Sequence, residues 1–254
     1  NLTHESFTKD LDSVITEASK LGVKRLSVTG SSVKDSLEAF EITQRYPKTC
    51  ISTAGIHPHN AKEYSTSAFS EIKDLLKNDL VKSIGETGLD FNRNFSSPED
   101  QQKSFEAHLE LSIELNKPLF LHERDAHEKF VDITSLYLKD LPKSVVHCFT
   151  GTEEALKKYL DMGFYIGITG WLCDERRGKH LEELISQIPL EKLMIETDAP
   201  YLLPRDMDID KSSRNEPKYL NHIARKVSGF RRESEELIFS AIYMNSLDFF
   251  DISV

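Results

Sequence analysis

Four side chains of the metal-ligand type follow short apolar runs in this sequence, each where a strand is expected to end. They are Glu86, His122, His147 and Asp198. Two imidazoles and two carboxylates form a mixed nitrogen and oxygen set that suits zinc, manganese, iron or magnesium. A metal held by such a set lowers the pKa of bound water and polarises an ester or phosphoryl oxygen. The four residues therefore predict a metal-dependent hydrolase.

The elements that must position these residues follow a regular pattern. β-Branched or apolar runs alternate with amphipathic, charged stretches, at 25–29, 50–54, 81–85, 118–122, 144–147, 164–168 and 193–196. Helices are predicted between the runs, for example over 10–21 and 98–115. The second helix begins at Ser97-Pro98 with acidic residues in its first turn. This alternation predicts a parallel sheet with helices outside it.

The predicted fold class is α/β, a (β/α)8 TIM barrel of the metal-dependent hydrolase type, filling residues 1–254 as a single domain. The chain begins just before a helix, so an eighth strand is expected at or upstream of Asn1. The carboxyl ends of barrel strands meet at one rim, where barrel enzymes place their chemistry. A doubly wound open sheet is the competing fold that periodicity alone leaves open.

Bulk composition limits the partners that can be expected. The net charge is −10 and the pI is about 5.4, whereas a protein that coats nucleic acid non-specifically carries excess positive charge. Contact of this protein with a polyanion would therefore be local, through metal ions and a few placed arginine or lysine residues. Cys50, Cys148 and Cys173 form no C-x-x-C pair, which favours a reduced, cytoplasmic protein. No apolar stretch of about 18 residues is present, so no membrane partner is expected; the sequence does not indicate an oligomeric state.

Five motifs stand in order along the chain: Gly-Ile-His-Pro-His (55–59), Gly-Glu-Thr-Gly-Leu-Asp-Phe (85–91), His-Cys-Phe-Thr-Gly (147–151), Glu-Thr-Asp-Ala-Pro-Tyr-Leu (196–202) and Arg-Asn-Glu-Pro (214–217). Together they resemble the TatD family of metal-dependent deoxyribonucleases. The resemblance implies a barrel in preference to the open sheet. It also implies hydrolysis of phosphodiester bonds in DNA, with exonuclease action on single-stranded ends.

The resemblance also implies a role for each site residue. Glu86 would bridge two divalent metals, and His122 and His147 would ligate one of them. Asp198 would contact metal and the attacking water, which it would activate as the general base. His57 is expected near the substrate phosphate.

One departure from the family pattern affects the expected metal content. Family members begin with a His-x-His pair that holds one metal, and Asn1 and Thr3 stand at those positions here. An Asn offers a carbonyl oxygen, but Thr replaces an imidazole poorly. The resemblance therefore implies one well-held divalent ion and a weak second site. Magnesium is the expected ion because it prefers oxygen ligands, with manganese or zinc as alternatives.

Three arginines receive less specific predictions. Arg124 and Arg176 are candidate donors to phosphate oxygens. Arg214 is a candidate structural clamp, ion-paired with Glu216. His108 has no ligand-type context and is predicted to lie at the surface.

Two other functions remain open on the sequence alone. The first is a metal-dependent hydrolase of an amide, lactone or aminoacyl ester on the same barrel, because the ligand set does not distinguish carbon from phosphorus electrophiles. The second is a non-catalytic nucleic-acid-binding protein, which the replaced His-x-His pair favours and the acidic pI disfavours.

Overall fold

The computed structural model describes residues 1–253 and divides into two compact units. The mid-chain unit is Ser27–His147, and the terminal unit joins Asn1–Leu26 to Cys148–Val254, of which Val254 lies outside the described residues. The single domain over 1–254 stays a prediction.

The mid-chain unit alternates strands and helices. Its strands are β1 (Leu26–Val28), β2 (Cys50–Ala54), β3 (Val81–Asp90), β4 (Leu119–Arg124) and β5 (Ser144–Val146). They lie in this order, with β2–β3, β3–β4 and β4–β5 pairing in parallel. The helices are α2 (Val33–Arg45), α3 (Thr66–Leu75), α4 (Pro98–Leu115) and α5 (His127–Tyr137), with a 3-10 turn at Pro58–Glu63.

The terminal unit contains the remaining elements. Its strands β6 (Tyr165–Ile168) and β7 (Leu193–Ile195) pair in parallel. Its helices are α1 (Leu11–Lys20), α6 (Glu153–Asp161), α7 (Lys179–Ile185), α8 (Leu220–Ser228) and α9 (Glu235–Phe249). Short 3-10 turns lie at Glu5–Phe7, Gly170–Cys173, Leu190–Lys192 and Pro217–Tyr219.

Each apolar run predicted as a strand contains one, and the helices predicted over 10–21 and 98–115 are also present. The eighth strand expected at or upstream of Asn1 is not among the described residues, where Asn1 leads through turns into Glu5–Phe7. β3 is longer than predicted, because after a register shift Thr87 to Asp90 continue to pair with β4. Glu86, predicted at a strand end, therefore lies within a strand.

Helix α4 shows why the local sequence folds as it does. The Ser97 hydroxyl accepts a hydrogen bond from the Asp100 N–H, and Pro98 occupies the first turn, where a missing N–H costs nothing. The helix ends at Asn116 in the left-handed region, with φ of 49°. Its buried face packs on β3 and so supports the strand that carries Glu86.

No helix within residues 1–253 combines the length and the apolarity needed to cross a bilayer.

Candidate active site

Glu86 is the centre of a buried cluster in the mid-chain unit. Its Oε1 lies 2.8 Å from His122 Nδ1, 2.8 Å from His147 Nε2 and 3.2 Å from His57 Nε2. The side chain of Glu86 is only 7% exposed. A carboxylate and three imidazoles in so little solvent form the kind of site at which metal or phosphate chemistry takes place.

Backbone pairing fixes the positions of these residues: Glu86 lies within β3, His122 lies within β4 and His147 directly follows β5. The Glu86 N–H donates to Gly30 O at 2.8 Å, and His122 stands opposite Gly88 in the β3–β4 register. His147 follows β5, and its N–H donates to Leu121 O at 2.9 Å. Because each side chain is fixed by a strand and not by a long loop, the cluster is preorganised.

The spacing of three of these atoms fits the coordination shell of one ion. Glu86 Oε1 lies 2.8 Å from His122 Nδ1 and 2.8 Å from His147 Nε2, and the two nitrogens are 3.4 Å apart. Ligands about 2.1 Å from one ion stand about 3.0 Å apart at neighbouring octahedral positions and about 3.4 Å apart at tetrahedral ones. Glu86, His122 and His147 could therefore hold a divalent metal with little movement.

The His57 ring differs because its hydrogen bonds fix the tautomer. Nδ1 accepts a hydrogen bond from the His59 N–H at 3.0 Å, so the proton of the neutral ring sits on Nε2. Burial is the main cause that lowers the pKa of His57 to about 4, so the ring is neutral. Its Nε2–H is a donor aimed at Glu86 Oε1. A metal-ligating His normally offers a lone pair there and donates from its other nitrogen, so His57 fits an anion better than a metal.

Asp90 and His59 orient His122 from the opposite side. Asp90 Oδ2 lies 2.7 Å from His59 Nε2 and 3.5 Å from His122 Nε2. His122 Nε2 is buried with no closer hydrogen-bond partner. A carboxylate behind a ligating His fixes the ring and raises its basicity. Asp90 and His59 belong to the sequence motifs, but no role was predicted for either. Their positions in Gly-Leu-Asp and His-Pro-His were the sequence signals that could have placed them at the site.

The electrostatics of the cluster favour an ionised Glu86. Burial alone raises the pKa of Glu86, but the electrostatic influence of the neighbouring His147 and His57 rings and the hydrogen bonds from His122 and His147 outweigh it and lower the pKa well below its ordinary value. Burial likewise lowers the pKa of His122, yet hydrogen bonds to Asp90 and Glu86 reverse the effect and raise it. Before any metal binds, hydrogen bonds from the surrounding imidazoles stabilise the ionised Glu86.

The prediction that His108 lies at the surface is wrong. The residue is fully buried on α4. Its Nδ1 lies 2.6 Å from Ser104 O, and its Nε2 accepts from the Ile56 N–H at 3.1 Å. The ring therefore fixes the backbone beside His57. The helical spacing of Phe105, His108 and Leu109 on one face was the signal for its burial.

Asp198, Arg124 and Arg176, the other predicted site residues, have hydrogen-bond or ion-pair partners of their own. Asp198 follows β7 in the terminal unit, at a φ of 56°, and Asn1 Nδ2 donates to its Oδ1 at 2.9 Å. Asn1 is thus beside Asp198 and offers its amide nitrogen. Arg176 forms a bidentate pair with Asp174 at 2.8 and 2.7 Å. Arg124 ends β4, with a third of its side chain exposed and Nε 3.8 Å from Asp125 Oδ1. The predicted roles of Asp198, Arg124 and Arg176 stay predictions.

In the Arg-Asn-Glu-Pro motif, Arg214 forms the predicted ion pair, and Asn215 forms hydrogen bonds that were not predicted. Arg214 pairs with Glu216 at 3.1 Å, as predicted, and also with Asp10. The neighbouring Asn215, fully buried, donates from Nδ2 to Thr197 O, Tyr201 O and Leu202 O at 2.7, 2.7 and 3.2 Å. It closes the loop that carries Asp198.

Comparison with known proteins extends these observations. A protein-family model described as TatD related DNase matches residues 1–251. The chain is 47% identical over 254 residues to the 3'-5' ssDNA/RNA exonuclease TatD of Escherichia fergusonii, covering 100% of this chain and 97% of that protein. It is 48% identical over 234 residues to the protein of the same name from Escherichia coli, covering 92% and 90%.

Solved structures show the fold. A crystal structure of a TatD homologue from Escherichia coli matches with a TM-score of 0.90 at 24% identity, covering 99% of this chain and 96% of that one. A TatD-family hydrolase from Entamoeba histolytica matches with a TM-score of 0.89 at 27% identity, covering 100% and 96%. The predicted fold class is confirmed as α/β and TIM-barrel-like, in preference to the open sheet.

Proposed function

The chain belongs to the family of TatD related DNases, and on this premise we propose that it is a metal-dependent exonuclease. It hydrolyses phosphodiester bonds from the 3' ends of single-stranded DNA or RNA. The family supports the nuclease class, and the relatives, which are 3'-5' ssDNA/RNA exonucleases, support the polarity and the single-stranded substrate. The expectation from the sequence was DNA; RNA enters with the relatives.

The observation that carries this proposal is the convergence of imidazole nitrogens on Glu86 Oε1. Glu86, His122 and His147 hold the ion, which we propose is Mg²⁺, with Mn²⁺ or Zn²⁺ as alternatives. When bound, the ion supplies a water of lowered pKa and neutralises charge on the phosphate. Three protein ligands leave positions for water and substrate, as catalytic metal sites require.

Residues of the chain carry out the other steps. His57 Nε2–H would donate to a non-bridging phosphate oxygen in place of Glu86, which would leave the Glu86 carboxylate to hold the ion. Asp90, 3.5 Å from His122 Nε2, keeps the His122 ring in position, and His59 holds Asp90 in turn at 2.7 Å. Asp198, the predicted general base, accepts the proton of the attacking water. Arg124 and Arg176 remain proposed helpers at the phosphate.

We further propose that a second ion binds weakly. The residues expected to hold it begin with Asn1 and Thr3, and Asn1 directs its amide nitrogen, a donor, at Asp198. A cation would need that amide to turn so that its oxygen faces inward. Ion binding followed by calorimetry should therefore give one tight step and one weak step.

A cleavage assay tests the proposal directly. Metal-depleted protein is incubated with single strands labelled at the 5' or the 3' end, with and without added Mg²⁺, Mn²⁺ or Zn²⁺. A ladder of 5'-labelled products that shortens from the 3' end is expected only with metal, and the Glu86→Gln variant should not produce it. Cleavage in chelator would contradict the proposed mechanism.

The same protein should be tested on amide, lactone and aminoacyl ester substrates. Faster turnover of any of these than of single-stranded DNA would favour the alternative hydrolase. Tight, salt-sensitive DNA binding without cleavage under all metal conditions would favour the non-catalytic alternative.

A further inference from the structure

Phe95 places an exposed aromatic ring beside the Glu86 cluster. It follows β3, the strand that carries Glu86, and is 57% exposed. Its ring contacts His59 edge-on, with centroids 4.8 Å apart. The guanidinium of Arg93 lies 5.9 Å from the ring centroid. The ring is therefore outside the core and accessible to a ligand bound at the neighbouring cluster.

The loop that carries Phe95 is anchored at both ends. At its start, Asp90 Oδ1 accepts from the Asn92 and Arg93 N–H groups at 3.0 and 2.9 Å. At its end, the Ser96 hydroxyl donates to His59 O at 2.9 Å. The fully buried Gln101 bonds Asp90 O and Ser96 O from one amide, each at 3.0 Å. The ring is thus held in place before any ligand arrives, which lowers the entropy cost of binding.

The ring is separated from the cluster by one imidazole. His59 contacts Phe95 on one side and His57 on the other, with centroids 4.3 Å apart in the second pair. His59 also bonds Asp90, which faces His122. A ligand group stacked on Phe95 would therefore be next to a group bound by His57 and Glu86.

We propose that Phe95, with Arg93 and His59, forms a stacking platform for an unpaired nucleobase flanking the phosphate that is cleaved. The proposal rests on the proposed nuclease function and deepens it, because it names the part of the substrate that the chain recognises outside the phosphate. An aromatic face with a neighbouring arginine is the usual means of binding single-stranded nucleic acid without sequence preference. A base within a duplex is covered by its neighbours and cannot use such a platform, so the platform selects single strands.

Binding and kinetics with intact and abasic strands test this proposal. The substrates are one single-stranded oligodeoxynucleotide and the same strand with tetrahydrofuran residues replacing its two 3'-terminal nucleosides. Variants are Phe95→Ala, Phe95→Leu, which keeps apolar bulk without a ring, and Phe95→Tyr, which keeps the ring. Leu136→Ala removes another exposed side chain of the same unit, 80% exposed on α5, and serves as the control.

On the intact strand, Phe95→Ala and Phe95→Leu should raise KM by about 5- to 150-fold, the range measured for loss of one stacked base, with kcat changed less than KM. Phe95→Tyr and Leu136→Ala should match the wild type within about 2-fold. On the abasic strand the wild type and all variants should have the same KM, because that strand lacks the base that would stack on the ring. An effect of the variant that appears only on the intact strand therefore isolates the stacking contact.

Equal effects of Phe95→Ala on both strands would overturn the platform, as would full activity of Phe95→Leu on the intact strand. Affinity measured by fluorescence anisotropy in chelator separates this failure from failure of the nuclease function. If the wild type cleaves nothing but prefers the intact strand in a Phe95-dependent way, the platform stands and the exonuclease proposal fails. If the wild type cleaves single strands and shows no such preference in affinity or KM, the platform fails alone.

Discussion

Three imidazoles surround one carboxylate oxygen in this protein, but they are not chemically equivalent. His57 accepts a backbone hydrogen bond on Nδ1, which assigns its proton to Nε2. His122 and His147 direct Nδ1 and Nε2, respectively, at Glu86 from 2.8 Å. Proximity alone would make His57 a third nitrogen ligand, since His57, Glu86 and His122 offer ligand atoms within 4.8 Å of one another. The tautomer instead supports the proposed role of His57 as a donor to the phosphate.

Separate measurement of metal affinity and turnover tests this assignment. His57→Ala should leave the Kd for Mn²⁺ within about 3-fold of wild type but lower kcat/KM by about 10²-fold, the usual cost of one donor to developing charge. His122→Ala should weaken metal affinity by more than the 10- to 100-fold seen when only a partner of a ligand is lost. Isothermal titration calorimetry gives the first quantity and single-turnover cleavage the second.

His180→Ala is the matched control, because His180 is exposed in the terminal unit and should change neither quantity. A loss of Mn²⁺ affinity in His57→Ala comparable to that in His122→Ala would show that His57 is a ligand.

At the scale of elements, the site depends on how closely β3 and β4 approach. Gly88 has a φ of 143°, and a Cβ added there would lie 1.9 Å from His122 O. Both its conformation and its lack of a side chain are therefore required. This close approach of β3 to β4 matters for the proposed metal site, because Gly88 is the register partner of the proposed ligand His122.

Gly88→Ala should accordingly destabilise the protein by about 3 kcal/mol or more, since overpacking and a positive φ act together. It should also weaken metal affinity, because His122 must move. Gly163→Ala is a suitable control: its φ is 81°, but a Cβ there meets nothing within 4 Å, so about 1 to 2 kcal/mol from backbone strain is expected. Urea unfolding measures both values, and equal losses would show that the contact with His122 O is unimportant.

The loop after β7 depends on a single amide. Asn215 Nδ2 donates to three carbonyl oxygens of residues Thr197, Tyr201 and Leu202. Asn215→Ala leaves buried acceptors without partners, which costs about 1 to 3 kcal/mol. Because Asp198 stands within this loop, kcat should also fall, by about 10-fold or more, if Asp198 is the general base.

Asn245→Ala provides the comparison for that experiment. Asn245 Nδ2 donates to Leu190 O and Leu193 O at 2.8 Å each, at the start of β7 and not after its end. Thermal unfolding should show losses of similar size in the two variants, whereas cleavage kinetics on folded protein should show a lower kcat only for Asn215→Ala. If kcat were unchanged in both variants, the hydrogen bonds from Asn215 to the loop after β7 would have no role in catalysis.

The sequence could predict the elements because strand and helix patterns are local. β-Branched or apolar runs predicted strands β1 to β7, although the eighth strand expected at or upstream of Asn1 is not among the described residues. Ligand-type residues at the predicted strand ends identified Glu86, His122 and His147, which the structure brings together. The burial of His108 and the proton position on His57 depend on partners distant in sequence or on backbone geometry. The extension of β3 past Glu86 depends on a register shift that no local pattern indicates.

At the scale of the whole molecule, an acidic chain must bind a polyanion. A net charge of −10 repels nucleic acid at long range, so attraction has to come from the metal, from His57 as a neutral donor and from stacking on Phe95. Of these contributions, only the metal carries the positive charge that displaces counterions from the strand, together with Arg124 and Arg176 if they contact phosphate as proposed. Salt should therefore affect this enzyme much less than it affects proteins that use an extended basic surface.

The dependence of kcat/KM on potassium acetate at constant saturating Mg²⁺ measures this directly. A single strand releases about 0.7 counterions for each phosphate neutralised. With one or two phosphates contacted at the cluster, log kcat/KM should fall against log salt with a slope of magnitude below about 1.5. A basic surface that neutralises six or more phosphates would give a slope steeper than about −4. A slope of that size would place most of the binding energy on cationic residues away from Glu86 and Phe95. A shallow slope, together with a much higher KM for the abasic strand than for the intact one, would instead assign the binding energy to the metal and to the stacked base. These two contacts keep their strength when salt screens the negative field of the protein.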